Sequence, residues 1–274
     1  MGIPWRAALA LQADGWFLRS DIVWVKPNAM PESVKDRPTR SHEMVFLLSK
    51  SQRYFYDHIA VQEPTVSLQS AQAGSFRRVG SKREQCIPGQ SAGTHRPNRK
   101  DTVFANSMRN QRDVWNVSTK PFHGAHFAVF PPGLVDPMIR AGTSEKGVCP
   151  TCGTPWVRKN GSSFYRGKAN AAREVLAKVE TGPRAITLRT DGWQPGCQCD
   201  AADPIPAVVL DPFGGSGTVA IVAESLGRDW RIIEANPEYA AMATARIQEN
   251  REWLIRNRIY HKPLLQRQQL KMFS

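Results

Sequence analysis

VVLDPFGGSGTVA, residues 208 to 220, constrains the fold more than any other stretch of the chain. An apolar run ends in an acid, passes through a glycine-rich turn and re-emerges as the apolar start of a helix. That order predicts a strand, turn and helix of the kind by which α/β proteins offer backbone N–H groups to a nucleotide-like cofactor. WRIIEA then reads as a second strand, and a long helix runs from Pro237 into the 250s. Only 54 residues follow Ala220, so the groups that act on a bound cofactor lie upstream of the turn or are missing.

Within this stretch GSGTVA, Gly215 to Ala220, satisfies the dinucleotide pattern G-x-G-x-x-G/A. Glu234 lies 19 residues after Gly215, where a ribose-binding acid belongs. Taken alone the match is weak, and NAD, another cofactor or a ligand-free turn all remain open. Asp211-Pro212-Phe213 argues against NAD, because a pyrophosphate site wants its glycines at the strand end and no carboxylate beside the phosphates. A cofactor that carries positive charge tolerates Asp211, and S-adenosylmethionine is such a cofactor.

The rest of the chain is organised around this unit. Ile3, Ala7, Ala8 and Leu11 fall at helical spacing and the pattern stops at Asp14-Gly15, which predicts a helix over 4–13. Ile22 to Val25 and Glu43 to Lys50 read as buried strands, and RYFYD extends the second or pairs with it. Regular periodicity is lost from Gln62 to Pro121, and HFAVFPPGLVDPMIRAG, His126 to Gly142, recovers a helix with Pro132 in its first turn. Nothing approaches the roughly 18 uninterrupted apolar residues of a membrane span, and no secretory leader is evident. The net charge is +13, and between Arg77 and Lys120 ten Lys or Arg face three acids. This clustering favours nucleic acid as partner over a merely solvated basic face, with Arg77, Arg78, Arg96, Arg99, Lys100, Arg109 and Arg112 as candidate contacts.

Five cysteines, four of them in two close pairs, fit a reducing compartment and a metal better than a disulfide framework. Cys149-Pro-Thr-Cys152-Gly has the form of a zinc-knuckle turn, and Cys197-Gln-Cys199 is a tighter second pair. Together they offer four thiolates to a structural zinc, with no open position for a substrate. The 44 residues between Cys152 and Cys197 exceed the usual spacing, so unmetallated thiols or a redox pair stay open.

DPFGGSGT followed by IIEANPEY resembles the cofactor-binding motif of the DNA amino-methyltransferases, which methylate the exocyclic amine of adenine or cytosine. GWFLRSDIVWVKPN, SHEMVFLLSK, RNQRDVWNV and HFAVFPPGLVDPMIRAG resemble the same family, so the likeness covers most of the chain apart from 62–105. It implies an α/β, Rossmann-like methyltransferase sheet in the permuted motif order, with the cofactor loop late in the chain. It also implies that Asp211, Phe213, Gly215, Ser216 and Gly217 form the cofactor loop and that Glu234 holds the ribose hydroxyls. His126, Phe130 and Pro131 match the segment that closes over the methionine end of S-adenosylmethionine, unless that segment is simply a core-packing helix. Double-stranded DNA is the implied substrate, in a cytoplasmic restriction–modification setting.

The family's catalytic tetrapeptide of Asp, Asn or Ser, two prolines and an aromatic would precede DIVWVK, and it is not found there. Pro131-Pro132 is the sole Pro-Pro, and it lacks both the polar acceptor and the stacking ring. The catalytic residues are therefore unknown, and the expected sheet is truncated at its N-terminal side. A late start codon, a truncated or split gene, and a non-catalytic DNA-binding remnant all account for this. The expected layout is a first methyltransferase part at 1–61, a basic target-recognition region at 62–121 and a cofactor-closing helix at 122–146. A zinc-ribbon-like insertion at 147–203 and the cofactor-binding part at 204–274 follow.

Overall fold

The structure is a computed structural model that describes residues 2–64, 108–121, 129–165, 185–200 and 203–259. Helix α1 (Ile3–Ala13) stops at Asp14 and Gly15, where Trp16 N–H donates back to the Leu11 carbonyl. The chain then enters strand β1 (Phe17–Val25), which pairs antiparallel with β2 (His42–Ser49). Strands β3 (Glu63–Pro64) and β4 (Met108–Arg109) form a minimal antiparallel pair, and β5 (Val114–Asn116) lies parallel to β1. The first sheet therefore runs β2-β1-β5.

Helix α2 (Pro132–Gly142) starts at a proline, whose fixed φ and missing N–H suit a first helical position. Strands β6 (Val157–Tyr165) and β7 (Ala185–Gln194) pair with each other. The last segment delivers the unit expected from its sequence: β8 (Val208–Asp211), α3 (Thr218–Ser225), β9 (Asp229–Ile232) and α4 (Pro237–Arg256), with β8 and β9 parallel. NPEY serves a local purpose, since Asn236 caps α4 by accepting the Glu238 N–H at 2.8 Å and Pro237 fills the first helical position.

The chain divides into two compact units. The first comprises Met1–Val61, Gln111–Val157 and Trp193–Ser274, and the second Gln62–Asn110 and Arg158–Gly192. In the first unit Val135 and Ile139 of α2 pack on Val222 and Ala223 of α3, with Phe130, Val209 and Trp230 against them. A second cluster joins Ala220 and Ile232 to Ala243 and Ile247 of α4. Helix α3 thus carries core on two sides, as a crossover helix between parallel strands must. Glu224, 1% exposed, sits on this helix as a charge and is met by both Arg251 Nε at 2.5 Å and Arg251 Nη2 at 3.1 Å.

Two readings of the sequence change. Strand β1 begins at Phe17, not Ile22, because Phe17 to Asp21 alternate in exposure and pair with the far end of β2. RYFYD forms no strand: Ser49 Oγ donates to the Ser51 carbonyl at 2.8 Å and turns the chain away from the sheet. No helix among the described residues is long and apolar enough to cross a membrane.

Candidate functional site

The glycine turn sits where the carboxyl ends of β8 and β9 meet the start of α3. Asp211 ends β8, and its Oδ1 accepts the Phe213 N–H at 3.0 Å, which fixes the first bend. Gly214 N–H donates to the Ile233 carbonyl at 2.8 Å, tying the turn to the residue after β9. Glu234 then closes the loop from the far side. One of its oxygens accepts Gly215 N–H at 2.7 Å and the other accepts Asn236 N–H at 2.9 Å.

Two acids therefore flank one turn. Burial raises the Asp211 carboxyl above its ordinary range, the Phe213 N–H opposes this, and repulsion from Glu234 adds to the rise. A site that strains to hold two negative charges favours a cation between or beside them and disfavours a pyrophosphate. Phe213 stands 85% exposed beside the acids, while Ser216 and Gly217 are buried.

Helix α4 holds the turn in shape, a role that the sequence did not reveal. Arg246 donates to the Ser216 carbonyl, across a separation of 30 residues. Its desolvation lowers the guanidinium pKa from the ordinary value, as expected of a cation drawn against a packed turn. Gly217 has φ of +76°, and a Cβ there would lie 3.1 Å from Ala243 Cβ and 3.3 Å from Ile247 Cδ1. This glycine is demanded by helix packing as well as by its backbone conformation.

Of the closing segment, Phe130 packs against the α2–α3 core and Pro131 is the buried residue that caps α2, so Pro131-Pro132 is a helix start. His126 lies outside the described residues. So do Arg77, Arg78, Arg96, Arg99 and Lys100. Arg109 is in β4, its Nε 2.8 Å from Glu63 Oε1, and Arg112 is exposed.

The four paired cysteines come together. The Sγ atoms of Cys149, Cys152, Cys197 and Cys199 all lie within 4.8 Å of one another. Zinc–sulfur bonds of about 2.3 Å in a tetrahedron set the sulfurs roughly 3.8 Å apart, so the cluster fits the ion with a small contraction. The knuckle is built by Gly153 N–H donating to the Cys149 carbonyl at 2.9 Å. Gly196 lets the second pair approach it, since a Cβ there would fall 2.3 Å from the Pro155 carbonyl oxygen. Cys152 is lowered to about 6, chiefly by its hydrogen bond with Thr154, and Cys199 is pushed up to about 12, chiefly by Cys152. Cys149 is lowered too, chiefly by the Cys152 backbone N–H, and Cys197 is raised, so two thiols of the cluster ionise more readily than usual and two resist, and a bound cation would favour the thiolate at all four.

Residues 2–149 and 204–245 match the family model described as DNA methylase. The Type II methyltransferase M.XycI of Xanthomonas campestris pv. cyanopsidis is 38% identical over 256 residues, which is 93% of this chain and 53% of that protein. M.Cfr9I of Citrobacter freundii is 39% identical over 248 residues, 90% of this chain and 50% of its own length. The chain thus spans about half the length of the curated relatives it matches. Among solved structures, the PvuII DNA methyltransferase (cytosine-N4-specific) aligns with a TM-score of 0.45 and 17% identity, covering 93% of this chain and 62% of that one.

Proposed function

Because the chain belongs to the DNA methylase family of amino-methyltransferases, we propose that it carries the S-adenosylmethionine site of an enzyme that methylates the exocyclic amine of adenine or cytosine in double-stranded DNA. The observation that carries this reading is the pair of acids on one glycine turn, Asp211 at the end of β8 and Glu234 bonded to Gly215 N–H. When bound, the cofactor supplies an electrophilic methyl group. Everything else is the work of the chain's own groups.

In this reading Glu234 accepts hydrogen bonds from the ribose hydroxyls. Asp211 would offset the positive charge of the bound cofactor, and the exposed Phe213 would contact it. Gly215, Ser216 and Gly217 shape the turn, and His126, Phe130 and Pro131 bound the methionine end. The basic region, with Arg77, Arg78, Arg96, Arg99, Lys100, Arg109 and Arg112, meets the phosphates of DNA, and such contacts weaken as salt displaces them. Zinc held by Cys149, Cys152, Cys197 and Cys199 is structural, since four thiolates close the coordination shell. The setting is cytoplasmic, where thiols of this kind stay reduced.

The experiment is transfer of isotopically labelled methyl groups from S-adenosylmethionine to DNA, with the products separated as nucleosides by mass spectrometry. The 274-residue chain alone is expected to bind cofactor but to transfer nothing detectable, because its sequence holds no tetrapeptide of Asp, Asn or Ser, two prolines and an aromatic. Supplemented with a polypeptide that carries the acceptor tetrapeptide, it yields label on N-6 of adenine or N-4 of cytosine. Label on a ring carbon would refute the amine assignment.

A further inference from the structure

Charge divides unevenly between the two compact units. Gln62–Asn110 and Arg158–Gly192, which together make the second unit, each hold eight Lys or Arg against three Asp or Glu. The second unit therefore carries +10 of the chain's +13, and the larger first unit is left with +3. The sequence marked the first of these segments for nucleic acid and read the second as part of a zinc-ribbon-like insertion. In the structure both belong to one unit.

Strands β6 and β7 of the second segment have only each other as strand neighbours among the described residues. Arg158 Nη1 donates to Thr190 Oγ1 at 3.0 Å and ties one strand to the other. A two-stranded ribbon is marginal by itself, and here its two ends run into the cysteine pairs. Strand β6 begins five residues after Cys152 and β7 ends three residues before Cys197, and the four Sγ atoms lie within 4.8 Å of one another. The ribbon is thus closed at its base.

We propose that the β6–β7 ribbon docks in the major groove of duplex DNA, which makes the cysteine-bounded insertion part of the surface that engages the substrate. This role rests on the reading that the chain acts on DNA. Strands of nine and ten residues at a rise of about 3.3 Å make a ribbon roughly 30 Å long, with its two backbones about 4.8 Å apart. The major groove of B-DNA is about 12 Å wide and admits such a ribbon. Charge selects the same partner: the two strands hold Arg158, Lys159 and Arg189 against one acid, Asp191, and Lys159 is exposed. Asn160, Thr187 and Thr190 add side chains that hydrogen-bond to phosphates or base edges. Residues 166–184 lie outside the described residues and form no part of the proposed surface.

The test titrates a labelled duplex of mixed sequence with the 274-residue chain over a range of salt. A ribbon variant combines Lys159→Gln with Arg189→Gln and leaves the Arg158–Thr190 bond in place. A control variant combines Arg6→Gln with Arg53→Gln, which removes the same charge from exposed positions of the first unit. Each phosphate contact contributes about 0.9 to the salt slope, so the ribbon variant should bind at least tenfold more weakly with a slope shallower by about 1.8. The control should stay within a few-fold of wild type, and both variants should keep the wild-type melting temperature. A duplex whose major groove is filled by glucosylated hydroxymethylcytosine should erase the difference between wild type and ribbon variant. Equal losses in the two variants, an unchanged slope, or a difference that survives glucosylation would each overturn the proposal. If wild type binds no duplex at any salt, the reading of DNA as substrate falls as well; if wild type and the ribbon variant bind alike, the role of the ribbon falls by itself.

Discussion

Replacing Gly217 with alanine tests how the cofactor turn is held. The residue sits at φ +76°, a left-handed conformation that costs a residue with a Cβ about 1–2 kcal/mol. The new methyl would also stand 3.1 Å from Ala243 Cβ, 3.3 Å from Ile247 Cδ1 and 3.4 Å from Ala243 Cα. All three atoms belong to Ala243 and Ile247, which are fully buried, so α4 has little room to retreat. Overpacking of this kind adds about 1–3 kcal/mol, for a total of about 2–5 kcal/mol. Gly15 supplies the control: its φ is +94°, and a Cβ there meets nothing within 4 Å. Gly15→Ala therefore carries the backbone cost without the packing cost. Urea titration of both variants, with unchanged slopes and shifted midpoints, separates the two contributions. Gly217→Ala should be the less stable by about 1–3 kcal/mol, while its folded fraction keeps cofactor affinity within a few-fold, since the Cβ faces α4. Equal stabilities for the two variants would refute the packing argument.

Asp211→Asn should have opposite effects on folding and binding. A carboxyl whose folded pKa is raised stabilises the fold below its unfolded pKa of about 3.9 and loses that contribution as pH rises through the folded value. The asparagine variant should therefore melt higher than wild type at pH 7 and alike at pH 3, yet bind S-adenosylmethionine more weakly; a lower melting point at pH 7 would contradict this. Glu224→Ala strands Arg251, whose side chain is 14% exposed, and should cost about 3–5 kcal/mol in chemical denaturation. Converting both residues to methionine should recover most of that loss. Elemental analysis should find about one zinc per chain, as four thiolates require, and Gly196→Ala or Cys149→Ser should lose the metal and lower the melting temperature. A metal-free protein of unchanged stability would rule the zinc site out.

The parallel unit from Val208 to Arg256 was legible because each of its parts has a local signal: an apolar strand, an acid, glycines, an apolar helix and a Pro-initiated helix. The acids of the site were legible for the same reason, since Asp211 and Glu234 sit at strand ends whose position the pattern sets. What α4 contributes was not. Arg246 reaches the Ser216 carbonyl from 30 residues away, and nothing near either residue marks the pairing. Nor is Gly196 marked in the sequence, since its close approach to Pro155 exists only once the cysteine pairs have met. Strand β1 was underestimated because a continuous apolar run stands out in sequence, whereas the alternation at Phe17 to Asp21 includes Arg19 and Asp21 on its exposed positions. RYFYD misled in the opposite direction: its aromatics suit a strand, but Tyr54 instead lies under the Arg19 guanidinium at 5.2 Å.

Equilibrium titration of the 274-residue chain with S-adenosylmethionine and with NAD, repeated on Glu234→Ala, tests the assignment of the glycine turn most directly. Saturable binding of S-adenosylmethionine, no binding of NAD and at least a tenfold loss in the variant are the results expected of a turn flanked by two acids. Equal affinity for NAD, or full affinity without the Glu234 carboxylate, would contradict it.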